Sequence, residues 1–296
     1  MTTVGFIGLG RMGMPMATNL LKAGFAVVGC DVDRSRTDEL ARRGASAAAT
    51  PAGTAARSDI VVSMIMNDRI LHEIALGEAG VLASLRPGGV FADLSTVSPA
   101  ASAAVADQAR ARGARYVCGK VAGSIGLATE GTLTLFASGE AADFEACRPV
   151  FEAMAATVRH VGAGDAAAYL KLVHSLIVGV YSAMLGEALA FGERGGLDMG
   201  SMVDVLEAGP LGSRQLTLKA PILKERRFDD PPSDIDTAAK DVDMILDTAR
   251  RDAMPLPLTA TVRQVMATAQ AAGGGRRDIY SVLETFERLA GLSSRG

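Results

Sequence analysis

The chain has 296 residues, of which 49% are hydrophobic and 21% charged, and its net charge at pH 7 is −3. This length is sufficient for two domains with separate cores. No basic block is present, which argues against nucleic acid as a partner.

The cysteines and the apolar runs limit the class of protein further. Cys30, Cys118 and Cys147 show neither disulfide nor metal-ligand spacing, which is typical of a reducing cytosol. The first residues lack the basic and apolar segments of a signal peptide, and no run reaches the ~18 charge-free apolar residues of a membrane span. We therefore expect a cytoplasmic protein without membrane contact or bound metal.

The first 31 residues have the layout of a dinucleotide-binding site. An apolar run at 4–7 precedes a glycine loop, a predicted helix reaching Lys22 and a second apolar run ending at Asp31. The glycines permit a tight turn, close approach of a pyrophosphate and close helix packing, and the helix N-terminus favours phosphate. A glycine loop alone also occurs as an ordinary turn, but its flanking elements favour a nucleotide site. The expected cofactor-binding loop residues are Gly8, Leu9, Gly10, Arg11, Met12 and Gly13.

Asp31 indicates which cofactor is bound. A carboxylate at the end of the second strand accepts hydrogen bonds from the ribose 2′-OH and repels a 2′-phosphate. We therefore expect NAD, with NADP less favoured. Arg34 and Arg36 follow closely and leave open whether NADP is also accepted, although a solvated first helical turn is the interpretation we favour for them.

The remaining pattern predicts two domains. Up to residue 163, helices and strands alternate, which indicates a doubly wound, mostly parallel Rossmann domain. From residue 164 to 296, helical patterns alone recur and predict an all-α domain, joined to the first by a long interdomain helix of roughly 29 residues. The predicted strands after Asp31 lie near 47 and at 60–65, 90–94, 116–118, 132–136 and 158–161. The predicted helices lie at 35–43, after Pro51, and at 99–112, 142–155, 165–194, 199–208, 214–224, 236–251, 258–272 and 278–289.

The long helix bears on assembly and on chemistry. A helix of this length seldom stands alone in a globular protein, and its apolar stretch 172–185 predicts a buried helix, so we expect a homodimer or homotetramer. Lys171 shares a helix face with His174, Ser175 and Val178. If burial brings its proton affinity toward neutral pH, Lys171 can act as a general acid and base; an exposed lysine is the alternative.

Several segments together resemble one enzyme family. Residues 4–24 closely resemble the opening signature of the β-hydroxyacid dehydrogenases, which include 3-hydroxyisobutyrate dehydrogenase and are related to 6-phosphogluconate dehydrogenase. Further resemblances extend over essentially the whole chain. Asp93-Leu94-Ser95-Thr96 resembles the family's D-x-S-T segment, and Gly131-Thr132-Leu133 resembles the end of its substrate-loop motif. Residues 162–171 resemble the catalytic-lysine motif, Lys240-Asp241 resembles a later lysine motif, and residues 273–281 resemble a C-terminal glycine motif.

The resemblance implies an NAD-dependent oxidoreductase that transfers hydride between nicotinamide and a small polar or anionic hydroxy compound. Lys171 is implied as general acid/base, and Lys240 as a second catalytic residue near cofactor and substrate. Thr96 is implied at the nicotinamide end of the cofactor. Met64 and Ile65, at the end of a predicted strand, are also expected to bind the cofactor.

Departures from the family pattern affect the substrate. The family's substrate loop reads D-A-P-V-S-G-G, where this chain has residues 118–124, C-G-K-V-A-G-S. Ala122 lacks the serine hydroxyl, while main-chain N–H groups of Gly123 and Ser124 remain available for an anion. Lys120 is expected either to supply a compensating charge or to be a solvent-exposed loop lysine.

The two asparagines that commonly follow the catalytic lysine are replaced by His174 and Ser175, which we expect at the substrate. A histidine there resembles 6-phosphogluconate dehydrogenase, but Val178 replaces the glutamate of that branch; a buried core histidine is the alternative. Arg214 follows a Gly/Ser loop and either borders the active site or lies at the surface.

Two other functions are also compatible with these residues. An imine reductase-like enzyme is the first, although imine reductases typically have aspartate or tyrosine at the position of Lys171. A catalytically weak NAD-binding interaction protein is the second, and the presence of both Lys171 and Lys240 argues against it.

Overall fold

Short runs of β-branched and apolar residues form one eight-stranded sheet in the N-terminal half of the chain. The structure is a computed structural model that describes residues 2–229, 231 and 233–292. The strands are β1 (Thr3–Ile7), β2 (Ala26–Cys30), β3 (Ser46–Ala47), β4 (Ile60–Ser63), β5 (Val90–Asp93), β6 (Arg115–Ala122), β7 (Leu133–Gly139) and β8 (Ala155–His160).

The strand order is β3-β2-β1-β4-β5-β6-β7-β8, and six of the seven pairings are parallel. From β3, at the edge of the sheet, the chain returns to the middle, where β4 pairs with the other side of β1. This change of direction is the switch point of a doubly wound sheet. Ligands of such sheets bind near that point, at the carboxyl ends of the strands. The antiparallel pair is β6 with β7, which the sequence pattern did not indicate. The expected α/β Rossmann fold is confirmed.

Alternate residues of the central strands enter two separate apolar clusters. Val4 and Phe6 belong to one cluster, and Ile7 belongs to the other. In the same way, Val90 contributes to the first cluster and Phe91 to the second. Both faces of the sheet are therefore covered, which is the usual condition of a parallel sheet.

Helices cover these faces, and several begin at side-chain caps. Asp33, Thr50, Asn67, Ser98 and Ser124 each accept a hydrogen bond from a main-chain N–H in the first turn that follows. Three of these helices, Asp68–Leu76, Val81–Ser84 and Ile125–Glu130, were not predicted from the sequence. The helices of this half are α1 (Gly13–Lys22), α2 (Arg34–Arg42), α3 (Pro51–Ala55), α4 (Asp68–Leu76), α5 (Val81–Ser84), α6 (Pro99–Ala111), α7 (Ile125–Glu130) and α8 (Ala141–Glu152).

In the C-terminal half, the described residues form helices joined by loops and no β-strand, as predicted. Helix α9 (Ala166–Arg194) has 29 residues and contains the point, after Lys171, at which the chain divides into two units, 1–171 and 172–296. The other helices are α10 (Met199–Ala208), α11 (Arg214–Glu225), α12 (Ile235–Arg251), α13 (Pro257–Ala271), a 3-10 turn (Ile279–Ser281) and α14 (Val282–Leu289). Their apolar residues form one cluster, with Leu189, Val203, Leu223, Met266 and Leu283 among its members.

Helix α9 is more exposed than a core helix. Its most apolar 18-residue window has a mean hydropathy of 1.5, and 39% of that window is buried. By length and composition α9 could cross a membrane, a test that core helices of soluble proteins also pass. Leu172 and Leu185, the ends of the stretch expected to be buried, are buried, but Val173, Ile177 and Met184 are at least half exposed.

Candidate active site

The glycine loop that follows β1 has a main chain that only glycine fits at two positions. Gly8 has φ 92°, and a Cβ placed on it would lie 2.3 Å from the carbonyl oxygen of Met64. A Cβ on Gly13 would lie 1.8 Å from the carbonyl oxygen of Gly8. The loop therefore turns tightly and packs directly against the start of α1.

The middle of this loop is open. A Cβ on Gly10 would meet nothing within 4 Å. Helix α1 begins at Gly13, and its N-cap residue, Met12, provides no side-chain hydrogen bond to the first turn. Main-chain N–H groups at the N-terminus of a helix attract phosphate. The loop thus offers the space and the donors that fit the pyrophosphate of a dinucleotide.

Asp31, directly after β2, is fixed against the glycine loop. Its Oδ2 accepts a hydrogen bond from the N–H of Leu9 at 2.6 Å, and its Oδ1 accepts one from the N–H of Asp33 at 2.8 Å. Each carboxylate oxygen can accept more than one hydrogen bond. The Asp31 carboxylate therefore has capacity left for the hydroxyl groups of a ribose.

Arg36 also belongs to this part of the molecule, contrary to the interpretation of a merely solvated side chain. Its Nη1 donates to the carbonyl oxygen of Leu9 at 3.1 Å, and its Nε pairs with Asp33 at 3.3 Å. A cavity of about 360 Å³ is lined by Arg36 together with residues of the glycine loop, α1 and α7, among them Gly10, Arg11, Ile125 and Thr129. Arg34, in contrast, is exposed.

The carboxyl ends of β4 and β5 bring the other expected cofactor residues together. The N–H of Met64 donates to the carbonyl of Ile7 at 2.9 Å, next to the glycine loop. The N–H of Ile65 donates to Ser95 Oγ at 2.9 Å, and half-buried Thr96 follows Ser95 directly. Ser95 was not singled out from the sequence, although the D-x-S-T segment contained it.

Lys171 lies at the end of β6. Its Nζ donates a hydrogen bond to the main-chain carbonyl of Val121 at 3.0 Å, and its side chain is partly buried. Ala122 follows Val121 and is half buried, whereas Gly123 and Ser124 are exposed. The lysine singled out as acid/base therefore contacts the segment that the sequence indicated as the substrate loop.

Lys120 contradicts both sequence expectations. It is 0% exposed, and its Nζ donates to Oδ2 of Asp93, also 0% exposed, at 3.0 Å. Burial alone would lower the pKa of Lys120, but the Asp93 carboxylate and the Cys118 sulfur together offset this and raise it. Lys120 is therefore neither a solvent-exposed loop lysine nor a charge directed at substrate, because strand β6 continues through it and its side chain points into the unit.

The remaining expected residues lie in the second unit. Ser175 Oγ donates to Oδ2 of Asp241 at 3.2 Å, and Lys240 Nζ lies 3.2 Å from Oδ1 of the same carboxylate. That second contact lacks hydrogen-bond geometry, and within the described part of the chain Oδ1 is buried without a hydrogen-bond partner. Asp241 therefore joins Ser175 to Lys240, a role that the sequence did not reveal.

His174 and Arg214 are both exposed. The interpretation of His174 as a buried core histidine is therefore wrong. Arg214 is the first residue of α11, whose N-cap is Ser213, so the structure agrees with the surface alternative. Among the residues that the structure describes, no three His, Cys, Asp or Glu side chains are grouped as metal ligands would be.

Comparison with known proteins identifies two family domains in the chain. Residues 3–162 match the NAD-binding domain of 6-phosphogluconate dehydrogenase. Residues 162–286 match the NAD-binding domain of NADP-dependent 3-hydroxyisobutyrate dehydrogenase. The first match covers the eight-stranded sheet, and the second covers most of the helical half.

Individual relatives are similar over nearly their full length. The chain is 33% identical to 2-(hydroxymethyl)glutarate dehydrogenase of Eubacterium barkeri, over 99% of this chain and 97% of the relative. It is 32% identical to L-threonate dehydrogenase of Cupriavidus necator, over 96% and 95%. The solved structure of Mycobacterium tuberculosis 3-hydroxyisobutyrate dehydrogenase with L-serine is 26% identical and has a TM-score of 0.89, over 96% of this chain and 99% of the other.

Proposed function

Because the chain belongs to the β-hydroxyacid dehydrogenase family of oxidoreductases, we propose that it oxidises a small hydroxy acid, or reduces the corresponding carbonyl compound, with NAD. One observation supports this above the others, namely that Lys171 is held at the end of β6 by the Val121 carbonyl. A partly buried ammonium beside a glycine-containing loop is suited to exchanging a proton with a substrate hydroxyl.

Lys171 is the general acid and base of this proposal. In the oxidative direction its neutral amine accepts the hydroxyl proton while the carbinol carbon loses hydride, and in the reductive direction its ammonium returns the proton to the carbonyl oxygen. The cofactor, when bound, accepts or supplies the hydride at its nicotinamide ring. The chain's own residues supply orientation and proton transfer.

We further propose NAD as the preferred cofactor, by at least about tenfold over NADP, because the Asp31 carboxylate repels a 2′-phosphate. Residues Leu9, Arg11 and Met12 would contact the pyrophosphate or ribose from the loop, and Met64, Ile65 and Thr96 would contact the cofactor nearer its nicotinamide end. Arg36 is the residue that would lessen the preference, because its guanidinium lies at the glycine loop.

The proposed substrate is a small acid that carries a hydroxyl group. Three relatives point to this class, since their names or bound ligand are 2-(hydroxymethyl)glutarate, L-threonate and L-serine. Within this chain, the N–H groups of Gly123 and Ser124 would bind the acid group, and Ala122 would contribute only its methyl group. We assign His174 and Ser175 to substrate contacts and Lys240 to contacts with both ligands.

We also propose that the enzyme is a cytoplasmic homodimer or homotetramer that uses α9 for assembly. Leu170, Ile177, Met184 and Phe191 recur every seven residues along α9, and each is at least 40% exposed. A seven-residue apolar repeat is the pattern by which two helices pack together. Light scattering at micromolar concentration should therefore give at least twice the monomer mass. We place the domain boundary at residues 163 and 164.

The deciding experiment measures the formation of NADH or NADPH with purified protein and a panel of hydroxy acids. The panel contains 3-hydroxyisobutyrate, L-threonate, L-serine and 2-(hydroxymethyl)glutarate, each with NAD and with NADP, and Lys171→Ala is the control. Turnover by the wild type with at least one acid, lost in the variant, supports the proposal. Reduction of a cyclic imine without turnover of any acid would favour the imine reductase alternative. Cofactor binding without either activity would favour the interaction protein.

A further inference from the structure

The Lys120–Asp93 ion pair is buried completely. Both side chains are 0% exposed, and the ammonium and carboxylate are 3.0 Å apart. Such a pair contributes little net stability, because removing two charges from water costs about as much as their attraction returns. The pair therefore calls for an explanation other than stability.

Asp93 connects Lys120 to the ends of two neighbouring strands. Its Oδ1 accepts hydrogen bonds from Ser63 Oγ at 2.8 Å and from the N–H of Ser95 at 3.2 Å. Ser95 Oγ in turn accepts the N–H of Ile65. The carboxylate of Asp93 thus joins the last residue of β4 to the segment after β5, and both belong to the expected cofactor-binding edge.

Lys120 lies in a part of β6 that lacks support from β5. The pairing of β5 with β6 ends at Asp93 and Cys118, whereas β6 continues to Ala122. On the β7 side, pairing continues through Lys120 and Val121. The ion pair is therefore a side-chain link from β5 to the extended end of β6, and the next residue, Val121, carries the carbonyl that accepts Lys171.

We propose that the buried Lys120–Asp93 pair positions the Val121 carbonyl, and through it the amine of Lys171, relative to the cofactor-binding ends of β4 and β5. The proposal rests on the function proposed above for Lys171. Lys120 and Asp93 are positioning residues, since neither side chain is accessible to substrate. Lys120 stands where the family's substrate-loop motif has proline, so this link is a property of this chain and not of that motif.

The test replaces both charges together, because a single substitution leaves a buried charge without a partner. In Lys120→Met with Asp93→Asn, the methionine has nearly the shape of the lysine, and the asparagine oxygen can still accept from Ser63 and Ser95. A second variant, Lys120→Gln with Asp93→Asn, retains a donor and an acceptor without charges. The matched control is Arg115→Met with Asp143→Asn, which removes an ion pair from the opposite end of β6.

Two measurements on each full-length variant separate positioning from folding. The first is turnover per folded molecule, with the hydroxy acid that the wild type uses best and with folded sites counted by NADH fluorescence titration. The second needs no substrate: it is the rate at which acetic anhydride acetylates Lys171, measured by mass spectrometry relative to exposed Lys22. A carbonyl that accepts from an ammonium favours the charged form, which does not react with the anhydride.

We expect the methionine double variant to lose about tenfold in turnover, while its affinity for NADH changes by less than about threefold, because a catalytic group displaced by a fraction of an ångström loses its alignment. Acetylation of Lys171 should become at least about threefold faster as its hydrogen bond weakens. The turnover and the acetylation rate of the glutamine variant should be closer to the wild-type values. The Arg115 control should have the wild-type values in both measurements.

Wild-type turnover and acetylation in both Lys120 variants would overturn the positioning role. Equal losses in the Arg115 control would do the same, because they would show a general effect of disturbing β6. Lys171→Ala, measured in parallel, distinguishes the two proposals. If that variant retains turnover, the function assigned to Lys171 fails; if it is inactive while the Lys120 variants are normal, only the positioning role fails.

Discussion

The glycine loop at 8–13 and the end of β6 at 119–122 lie at the same edge of the sheet, but they are held in different ways. In the loop, main chain packs against main chain, so closely that a Cβ on Gly13 would meet Gly8 O at 1.8 Å. At the end of β6, the link is a pair of buried charges between Lys120 and Asp93. The close contacts at Gly8 and Gly13 require that these residues have no side chain, whereas the end of β6 depends on the side chains of Lys120 and Asp93.

This difference predicts different responses to substitution. At Gly8 and Gly13 the glycine loop should tolerate little added volume, whatever its chemistry, because the contacts at these two positions are steric. The end of β6 should respond to charge and hydrogen bonding more than to size. The loop is also the expected place of cofactor binding, and β6 the expected place of proton transfer, so the two responses should appear in different kinetic constants.

The largest expected effect is that of Lys171→Ala, which tests whether binding and chemistry are separated in this way. Turnover should fall by a factor of ~10²–10⁴, the usual contribution of a positioned acid and base. NADH affinity, measured by fluorescence titration, should stay within about threefold, because the loop and Asp31 hold the cofactor. Lys224→Ala, at a partly buried lysine of α11 that pairs with Asp204, is the control. A parallel loss of NADH affinity in Lys171→Ala would show that the two regions are not separable.

The next largest effect is expected in the glycine loop. Gly13→Ala should destabilise the protein by about 3 kcal/mol and weaken NADH binding, because the new methyl group overlaps Gly8 O. Gly10→Ala is the matched variant, since its methyl group meets nothing within 4 Å. It should leave the melting temperature nearly unchanged but reduce NADH affinity about tenfold, by occupying the approach of the phosphates. Normal NADH affinity in Gly10→Ala would show that the pyrophosphate does not bind at this loop.

A smaller effect is expected from the charge beside the loop. Asp31→Asn retains an acceptor for the N–H of Leu9 but removes the repulsion of a 2′-phosphate. The ratio of the affinities for NAD and NADP should fall about tenfold, toward one. Asp38→Asn on α2 removes the same charge at an exposed position and should leave that ratio unchanged. An unchanged ratio in Asp31→Asn would assign cofactor choice to other groups, with Arg36 first among them.

The glycine loop and the end of β6 also differ in how well the sequence alone predicts their structure. The conformations of Gly8 and Gly13 follow from contacts within a short strand, loop and helix, so their spacing was sufficient to foresee them. The burial of Lys120 depends on Asp93, 27 residues earlier, and on the antiparallel arrangement of β6 and β7, which no local pattern specifies. Asp241 was likewise visible as part of a motif, but its contact with Ser175 joins residues that are 66 positions apart.

Ala122→Ser is expected to have the smallest effect, and it tests the end of β6 without disturbing the ion pair. Ala122 follows Val121 directly and is half buried, so a serine hydroxyl fits with little steric cost. If this segment contacts the acid group of the substrate, the added donor should lower the KM for 3-hydroxyisobutyrate about fivefold, which corresponds to a net hydrogen-bond contribution of about 1 kcal/mol. The kcat should change little, because Lys171 is unaltered. Ala122→Val adds volume without a donor and should raise the KM. Equal KM values for serine, alanine and valine at position 122 would place the acid group elsewhere and leave the end of β6 with proton transfer alone.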